Sequence, residues 1–328
     1  MSAPLRVGVI GLGARCVIAE NCHKATIPAE LVGGCDPNPA MRQRATEVLG
    51  DYPWFETLDE LLELGIDCAI VTSPDDTHED ITCALLEAGV AVYLEKPIAI
   101  TIEGSDRVLE TAYRTKTPLY VGHNMRHMAV VRILRQVVQD GLIGEVRAIW
   151  CRHFVGNGGD YYFKDWHADR SRTTGLLLQK AAHDIDVMNW LSDSVPERVV
   201  GMGDLMLYGK LSDRSGQKSD AVMSDWFSFD NWPPASLTGL NPVIDVEDVS
   251  MLMMRQTSGT LISYEQCHFT PDYWRNYTVI GTEGRAENFG DGEGGVVRVW
   301  KHRSGWEPTG DIEIPIKGDA GGHDDADV

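Results

Sequence analysis

No stretch of this sequence offers the roughly 18–20 uninterrupted apolar residues that a membrane helix needs. Basic residues are also few: 29 Lys and Arg stand against 49 Asp and Glu, a net charge of -20. The deficit is not a tail. Residues 1–121 carry 9 basic and 19 acidic side chains, and the remainder 20 and 30. Such a surface repels nucleic acid and anionic membranes, although a locally basic pocket can still take an anionic substrate. The seven cysteines (16, 22, 35, 68, 83, 151 and 267) are odd in number and form no CxxC pair. Four fall inside expected core elements, so buried thiols in a reducing compartment fit better than disulfides or zinc. Met1–Arg6 leads straight into an apolar run without a signal-peptide layout, so a cytoplasmic protein is expected. Repeats and low-complexity tracts are absent.

What is present suits a globular fold. The chain has 328 residues, 43% of them apolar, enough for two domains with normal cores. Residues 5–121 alternate between short apolar runs (5–10, 31–35, 67–71, 91–94, 119–121) and helical patterns (76–87, and 101–115 with Thr101 as N-cap). That alternation predicts a parallel sheet covered by helices, an α/β Rossmann domain over residues 1–122. After residue 122 the pattern changes. Helices are expected over 130–140 and 175–191, and strands over 146–154, 198–207, 222–229, 248–256, 260–268, 277–281 and 296–302. Residues 209–221 and 230–242 read as loops. Residues 123–328 therefore predict an α+β domain on an open, mostly antiparallel sheet. The helices are too few to cover both faces of that sheet. A face carrying Met251, Met253, Leu261 and Tyr264 would need a partner, which predicts a homodimer or homotetramer. The end, Gly321–Val328, is acidic and Gly-rich and cannot close a domain by packing. A mobile tail and a chain cut short of a longer parent both remain open.

The first strand runs into Gly11-Leu12-Gly13-Ala14-Arg15-Cys16. Two glycines at this spacing permit a tight turn and a close backbone approach to a pyrophosphate, which then meets the positive end of a helix beginning near Ala14. Cys16 replaces the third glycine of the fingerprint. Asp36 ends the second strand 23 residues after Gly13, where a carboxylate can bind the ribose hydroxyls and repel a 2′-phosphate. NAD is therefore expected in preference to NADP. The bland reading of Asp36 is a turn that starts a helix, and Arg42 and Arg44 on that helix could turn in. Thr72-Ser73-Pro74 through His78 follows the third strand, and Glu95-Lys96-Pro97 the fourth. Both sit where open α/β sheets bind ligands. Pro97 fixes the backbone around Lys96.

These motifs, with Gly122–Arg126, the helix bearing His183 and Gly281-Thr282-Glu283-Gly284, resemble the glucose–fructose oxidoreductase / inositol dehydrogenase / rhizopine catabolism (Gfo/Idh/MocA) family over essentially the whole chain. The resemblance implies a Rossmann domain plus an open-sheet domain that often oligomerises, a nicotinamide cofactor, and substrates that are mostly sugars and polyols. It maps the family's lysine to Lys96 and its helix histidine to His183. Family dehydrogenases commonly carry Asp four residues before that histidine; here Gln179 stands there, which can orient a ligand but cannot act as a base. Family chains also continue past a segment like 321–323 into further helix.

In the helix from Gly175, Leu178, Ala181, Ala182, Ile185 and Met188 form an apolar stripe. Gln179, His183, Asp186 and Trp190 share another face, flanked by Lys180. Catalysis is assigned to Lys96 and His183. By intrinsic pKa His183 is suited to accept the substrate proton while Lys96 holds the developing alkoxide, or the two exchange roles. Asn124, Arg126, Trp166, Arg170, Gln179 and Lys180 complete the substrate contacts, with Trp166 and Arg170 in a loop whose aromatic and charged groups suit sugars. His123 and His127 lack a third ligand, so no metal is expected. The competing functions are an NAD-dependent glycosidase, whose chemistry starts identically, and a non-catalytic dinucleotide sensor, against which the retention of Lys96 and His183 argues.

Overall fold

The computed structural model describes residues 3–24, 27–218 and 220–317; the expectation about Gly321–Val328 lies outside them. The chain opens with β1 (Leu5–Ile10), whose Val7, Val9 and Ile10 are buried. Each such side chain stabilises the fold by about 1.5–3 kcal/mol relative to exposure. There follow β2 (Ala29–Cys35), α1 (Pro39–Leu49), β3 (Trp54–Phe55), α2 (Leu58–Leu62), β4 (Cys68–Val71), α3 (His78–Glu87), β5 (Ala91–Leu94), α4 (Ile102–Thr115) and β6 (Leu119–Val121). The strands form one parallel sheet in the order β3-β2-β1-β4-β5-β6. Its topology reverses between β1 and β4, which places a ligand crevice at the carboxyl ends of those strands. The helix starts are written in the sequence. Asn38 accepts from Ala40 N, with Pro39 in the first turn; Thr57 and Glu60 form a capping box; Thr101 accepts from Gly104 N at 2.9 Å. Each cap is worth about 1 kcal/mol. The helix expected from Ala14 is a 3-10 helix, Ala14–Lys24, whose tighter turns begin with Cys16 N donating to Gly13 O at 3.2 Å.

The second half contains α5 (Ala129–Gln139), β7 (Val146–Val155), α6 (Gly158–Tyr162), α7 (Arg170–Thr173), α8 (Leu176–Ser192), β8 (Pro196–Asp204), α9 (Met223–Trp226), β9 (Val249–Gln256), β10 (Leu261–Cys267), β11 (Tyr273–Gly281), β12 (Arg285–Phe289), β13 (Val296–Trp300) and β14 (Ile312–Pro315). Its sheet runs β14-β13-β12-β11-β7-β10-β9-β8. Only the β10–β7 pairing is parallel. The chain is thus α/β, a Rossmann sheet followed by a mixed, mostly antiparallel one. Helices α5 and α8 pack on one face of the second sheet around Ile149, Met188, Leu252, Ile262 and Val279.

The opposite face leaves Trp150, Met202, Met251, Met253 and Leu261 exposed. Tyr264 is a correction: it is fully buried beneath α8. Leu261 and Tyr264 are three apart in one strand, so they point to opposite faces. The strand expected over 222–229 is also absent. Asp225 accepts from Val222 N at 2.8 Å and pairs with Arg44 at 3.3 Å, and that N-terminal cap starts the helical turn α9. Strands β12 and β14, short and near the sheet edge, were not anticipated. No helix of the described residues is long and apolar enough to cross a membrane.

Candidate active site

The glycine loop is shaped by close approach. Gly11 has φ +87°, and a Cβ there would stand 2.5 Å from the Ser73 backbone. A Cβ on Gly13 would meet nothing within 4 Å, so this backbone faces the open crevice and leaves the room a pyrophosphate requires. Thr72 Oγ1 donates to Gly11 O at 2.7 Å. Asp36 accepts from Leu12 N and Asn38 N, each at 2.8 Å, and so holds the loop itself. Each carboxylate oxygen keeps a lone pair for a ribose hydroxyl. Arg42 does turn in, with Nη1 donating to Asp36 O at 2.6 Å, whereas Arg44 is committed to Asp225. Among the described residues this constellation fits a dinucleotide. Arg15 forms an ion pair with Glu95; Ala14 opens the 3-10 helix beside it.

Lys96 leaves the end of β5 in a turn whose Lys96–Pro97 peptide is cis. His78 lies between this turn and the β4 end, its Nδ1 2.7 Å from Pro97 O and its Nε2 2.9 Å from Ser73 O, just before Pro74. The Lys96 ammonium is buried and donates to the Gln179 carbonyl on α8 at 2.7 Å. It therefore crosses from one sheet domain to the other and stops four residues short of His183. Burial pushes the Lys96 pKa down; Asp75 and Glu95 oppose that, and Arg15 and Arg275 add to it. A buried lysine so placed can exchange a proton more readily than a solvated one.

Helix α8 brings Gln179, Lys180 and His183 together, all buried. Its inward face is not quite the apolar stripe expected. Leu178, Ala182 and Ile185 are only half-buried, while Lys180 and Asp184 point inward with Leu176, Val187, Met188 and Leu191. Asp184 accepts from His153 Nδ1 at 2.9 Å, Tyr264 Oη at 3.0 Å and Tyr277 Oη at 2.5 Å, and lies 3.2 Å from Arg275 Nε. Burial alone would raise its carboxyl pKa, but His153 and Arg275 outweigh burial and hold it well below the usual carboxylate range. Burial, helped by Arg275, lowers His153 to about 3, so its ring is neutral and Nδ1 carries the donated proton.

The other expected contacts divide. Asn124 is fully buried at the start of a 3-10 turn beside α8. Arg126 forms a bidentate pair with Asp186 at 2.6 and 2.7 Å. Arg170 reaches Glu247 at 3.1 Å and the Asp245 carbonyl at 2.9 Å, bracing α7. Trp166 stacks on His167 with ring centroids 3.7 Å apart. Three residues escaped the sequence reading. Asp75 is buried, accepts from Thr173 Oγ1 at 3.2 Å, and faces Lys96, His78 and His167; burial raises its pKa against those three. His123, weighed only as a metal ligand, lies 3.9 Å from Asp186 and feels the Lys96 charge. Asp184, adjacent to His183, organises the layer beneath it. Position at a strand end marked Asp75 in the sequence; nothing local marked Asp184.

Comparison with known proteins agrees with this geometry. A family model described as an oxidoreductase family with an NAD-binding Rossmann fold matches residues 5–123. The model of the GFO/IDH/MocA C-terminal domain matches residues 131–287. The chain is 26% identical over 299 residues to YteT of Bacillus subtilis (strain 168), covering 79% of this chain and 70% of that one. It is 30% identical over 197 residues to an inositol 2-dehydrogenase of Serratia proteamaculans (strain 568), covering 58% of this chain and 55% of the relative. The matched part thus spans little more than half of that dehydrogenase. Among solved structures, a levoglucosan dehydrogenase in complex with NADH and levoglucosan superposes with a TM-score of 0.74 at 20% identity, covering 95% of this chain and 80% of that one. The WlbA dehydrogenase of Bordetella pertussis, in complex with NADH and UDP-GlcNAcA, superposes with a TM-score of 0.71 at 20% identity, covering 94% and 80%. At these identities the structural likeness speaks for the fold alone.

Proposed function

The chain belongs to the GFO/IDH/MocA oxidoreductase family, and from that premise we propose that it oxidises a CH–OH group of a sugar or polyol with NAD, using Lys96 and His183 as its acid–base pair. Relatives named as inositol 2-dehydrogenases support the substrate class. One observation carries the reading: the buried Lys96 ammonium of the dinucleotide-binding half, residues 1–122, bonds the Gln179 carbonyl one helical turn before His183 in the substrate-binding half. A hydroxyl held between these side chains loses its proton to His183, while Lys96 stabilises the oxygen's developing negative charge. The bound nicotinamide supplies the hydride acceptor. Gln179, a neutral amide, orients the substrate. Asn124, buried beside α8, and Trp166 are the further substrate contacts of this reading. Seven free thiols, of which burial raises Cys35 to about 12, support a reducing cytoplasm.

A panel of sugars and polyols tested with NAD and NADP, read by absorbance of the reduced cofactor, tests the activity. Reduction with no member of either class would reject it. Within the same proposal, NADH binds more tightly than NADPH. Asp36 would face a 2′-phosphate with like charge, and although Arg42 is near, its Nη1 is occupied by the Asp36 carbonyl. Fluorescence titration is expected to give a preference of at least about tenfold, one step of roughly 1.4 kcal/mol. Tighter NADPH binding would contradict it.

The exposed face of the second sheet, with Trp150, Met202, Met251, Met253 and Leu261 in adjacent strands, supports assembly of two or four copies. Light scattering at micromolar concentration is expected to return a homodimer or homotetramer, and Met253→Asp is expected to shift it toward monomer. A monomeric parent protein would exclude this role for the face.

A further inference from the structure

Lys180 is a second buried lysine near Lys96, and among the described residues no carboxylate is paired with it. Its residue is 5% exposed. Among the described residues its ammonium has no hydrogen bond and no carboxylate at ion-pair distance; it lies over the rings of Tyr162 and Tyr273 at 5.3 and 5.9 Å. Of the charges it feels, Arg275, Lys96 and Arg15 are of its own sign, and Asp184 alone opposes them. The inward carboxylate of its own helix, Asp184, is already committed to His153, Tyr264, Tyr277 and Arg275. Asp160, on the neighbouring α6, is paired with Lys164 at 2.6 Å and bonded by Asn231 at 2.9 Å.

The polar layer around Lys180 is also incomplete. His153 Nε2, His268 Nε2, Gln266 Nε2 and Gln179 Oε1 are buried with no hydrogen-bond partner among the described residues. Gln266 pairs with His153 across β10 and β7, and His268 and His153 pack edge-on against Tyr162 and Tyr273, at 5.5 and 6.0 Å, the two rings on which Lys180 lies, so these groups gather at one place. Proteins rarely keep several buried polar atoms and a buried cation without partners unless a ligand supplies them.

Resting on the site proposed above, we infer that the substrate is a sugar acid, whose carboxylate binds Lys180 while its hydroxyls bond His153, His268 and Gln266. The surplus is a single positive charge, because Arg275 lies near both Asp184 and Asp291. One cation suits a monoanionic carboxylate better than a phosphate, which normally recruits arginine or several backbone N–H groups. Burial, then Arg275 and Lys96, depress the Lys180 pKa well below its ordinary value; an arriving carboxylate restores the charged form.

The test is binding to the enzyme–NADH complex by calorimetry, with D-glucuronate, D-gluconate, glucose 6-phosphate, D-glucose and myo-inositol as probes. At least one acid is expected to bind about 30-fold or more tightly than D-glucose. Lys180→Met, which keeps the packing against Tyr162 and Tyr273, is expected to lower acid affinity about 100-fold, and by at least ten times more than it lowers affinity for glucose. Lys180→Arg, which retains the charge, is expected to keep an acid preference and covers the case in which the methionine variant fails to fold. Four results would overturn the inference: no acid binds, glucose 6-phosphate binds best, the methionine variant weakens acids and neutral sugars alike, or the arginine variant loses the preference. Acids that bind through Lys180 without reducing NAD would instead sink the dehydrogenase reading and leave the carboxylate site at Lys180 standing.

Discussion

Lys96→Ala is expected to lower kcat by about 100- to 10,000-fold while changing NADH affinity by less than about threefold. That range is what a positioned acid–base or charge-stabilising group contributes, roughly 3–5 kcal/mol of barrier. The ammonium sits at the crevice side of β5, held by the Gln179 carbonyl and facing Asp75 and Glu95. Alanine deletes the charge that the proposed chemistry sets against the developing alkoxide, but the Gly11–Gly13 loop and the Asp36 turn, which would hold the dinucleotide, lie on β1 and β2 and do not rest on it. A loss of turnover without a loss of cofactor affinity therefore separates chemistry from binding. His183→Ala is expected to fall in the same range. Near-normal turnover in both variants on a proven substrate would remove these residues from the reaction. Inactivity of the Lys96 variant alone would make Lys96 the proton acceptor, consistent with the downward push that burial gives its pKa.

The parts of the site legible in the sequence are those made by neighbours in the chain. Gly11 announces the loop because its positive φ and close approach to the Ser73 backbone demand glycine, Gly13 keeps the crevice side of the loop open, and Glu95-Lys96-Pro97 is recognisable as a run. Thr101 and Asn38 mark helix starts because caps are local hydrogen bonds. What stayed hidden joins distant segments. Lys96 and Gln179 are 83 residues apart, Asp75 and Thr173 are 98, and Asp184 and Tyr277 are 93. No spacing rule reaches across such intervals. The apolar stripe misplaced on α8 shows the same limit. Periodicity assumes that the buried face is apolar, but this helix buries Lys180 and Asp184 against a polar patch of the sheet. The strand expected over 222–229 failed for a local reason, since an aromatic-rich run lost to the cap that Asp225 offers Val222.

Asp184→Asn is expected to destabilise the fold by about 3–5 kcal/mol, lowering the thermal midpoint by roughly 10 °C. Both Asp184 and Arg275 are fully buried, and the carboxylate receives three hydrogen bonds besides the guanidinium at 3.2 Å. Asparagine keeps the volume but strands the arginine charge, with Asp291 at 3.9 Å as the remaining anion. A buried charge without its partner costs more than the pair contributed. The pH dependence identifies the mechanism. The folded-state pKa of Asp184 lies below its ordinary value near 3.9. Its contribution is therefore complete above about pH 4 and is lost as pH falls further toward the folded-state pKa. The stability difference between parent and variant should stay constant from pH 7 to about pH 4 and shrink below it. His153, held at about 3 by burial and by Arg275, makes parent stability itself fall between about pH 6.5 and 3, because the unfolded chain binds a proton there that the folded chain refuses. That slope is common to both proteins above pH 4 and cancels in the difference. Urea titrations of parent and variant at a series of pH values measure it. A difference under about 1 kcal/mol, or one that shrinks already between pH 7 and 5, would show that the Asp184 carboxylate is not the counter-charge on which Arg275 depends. Replacing both residues, Asp184→Leu with Arg275→Met, should recover part of the loss, since the arginine charge is no longer stranded, although Asp291 loses its cation and His153, Tyr264 and Tyr277 lose their acceptor.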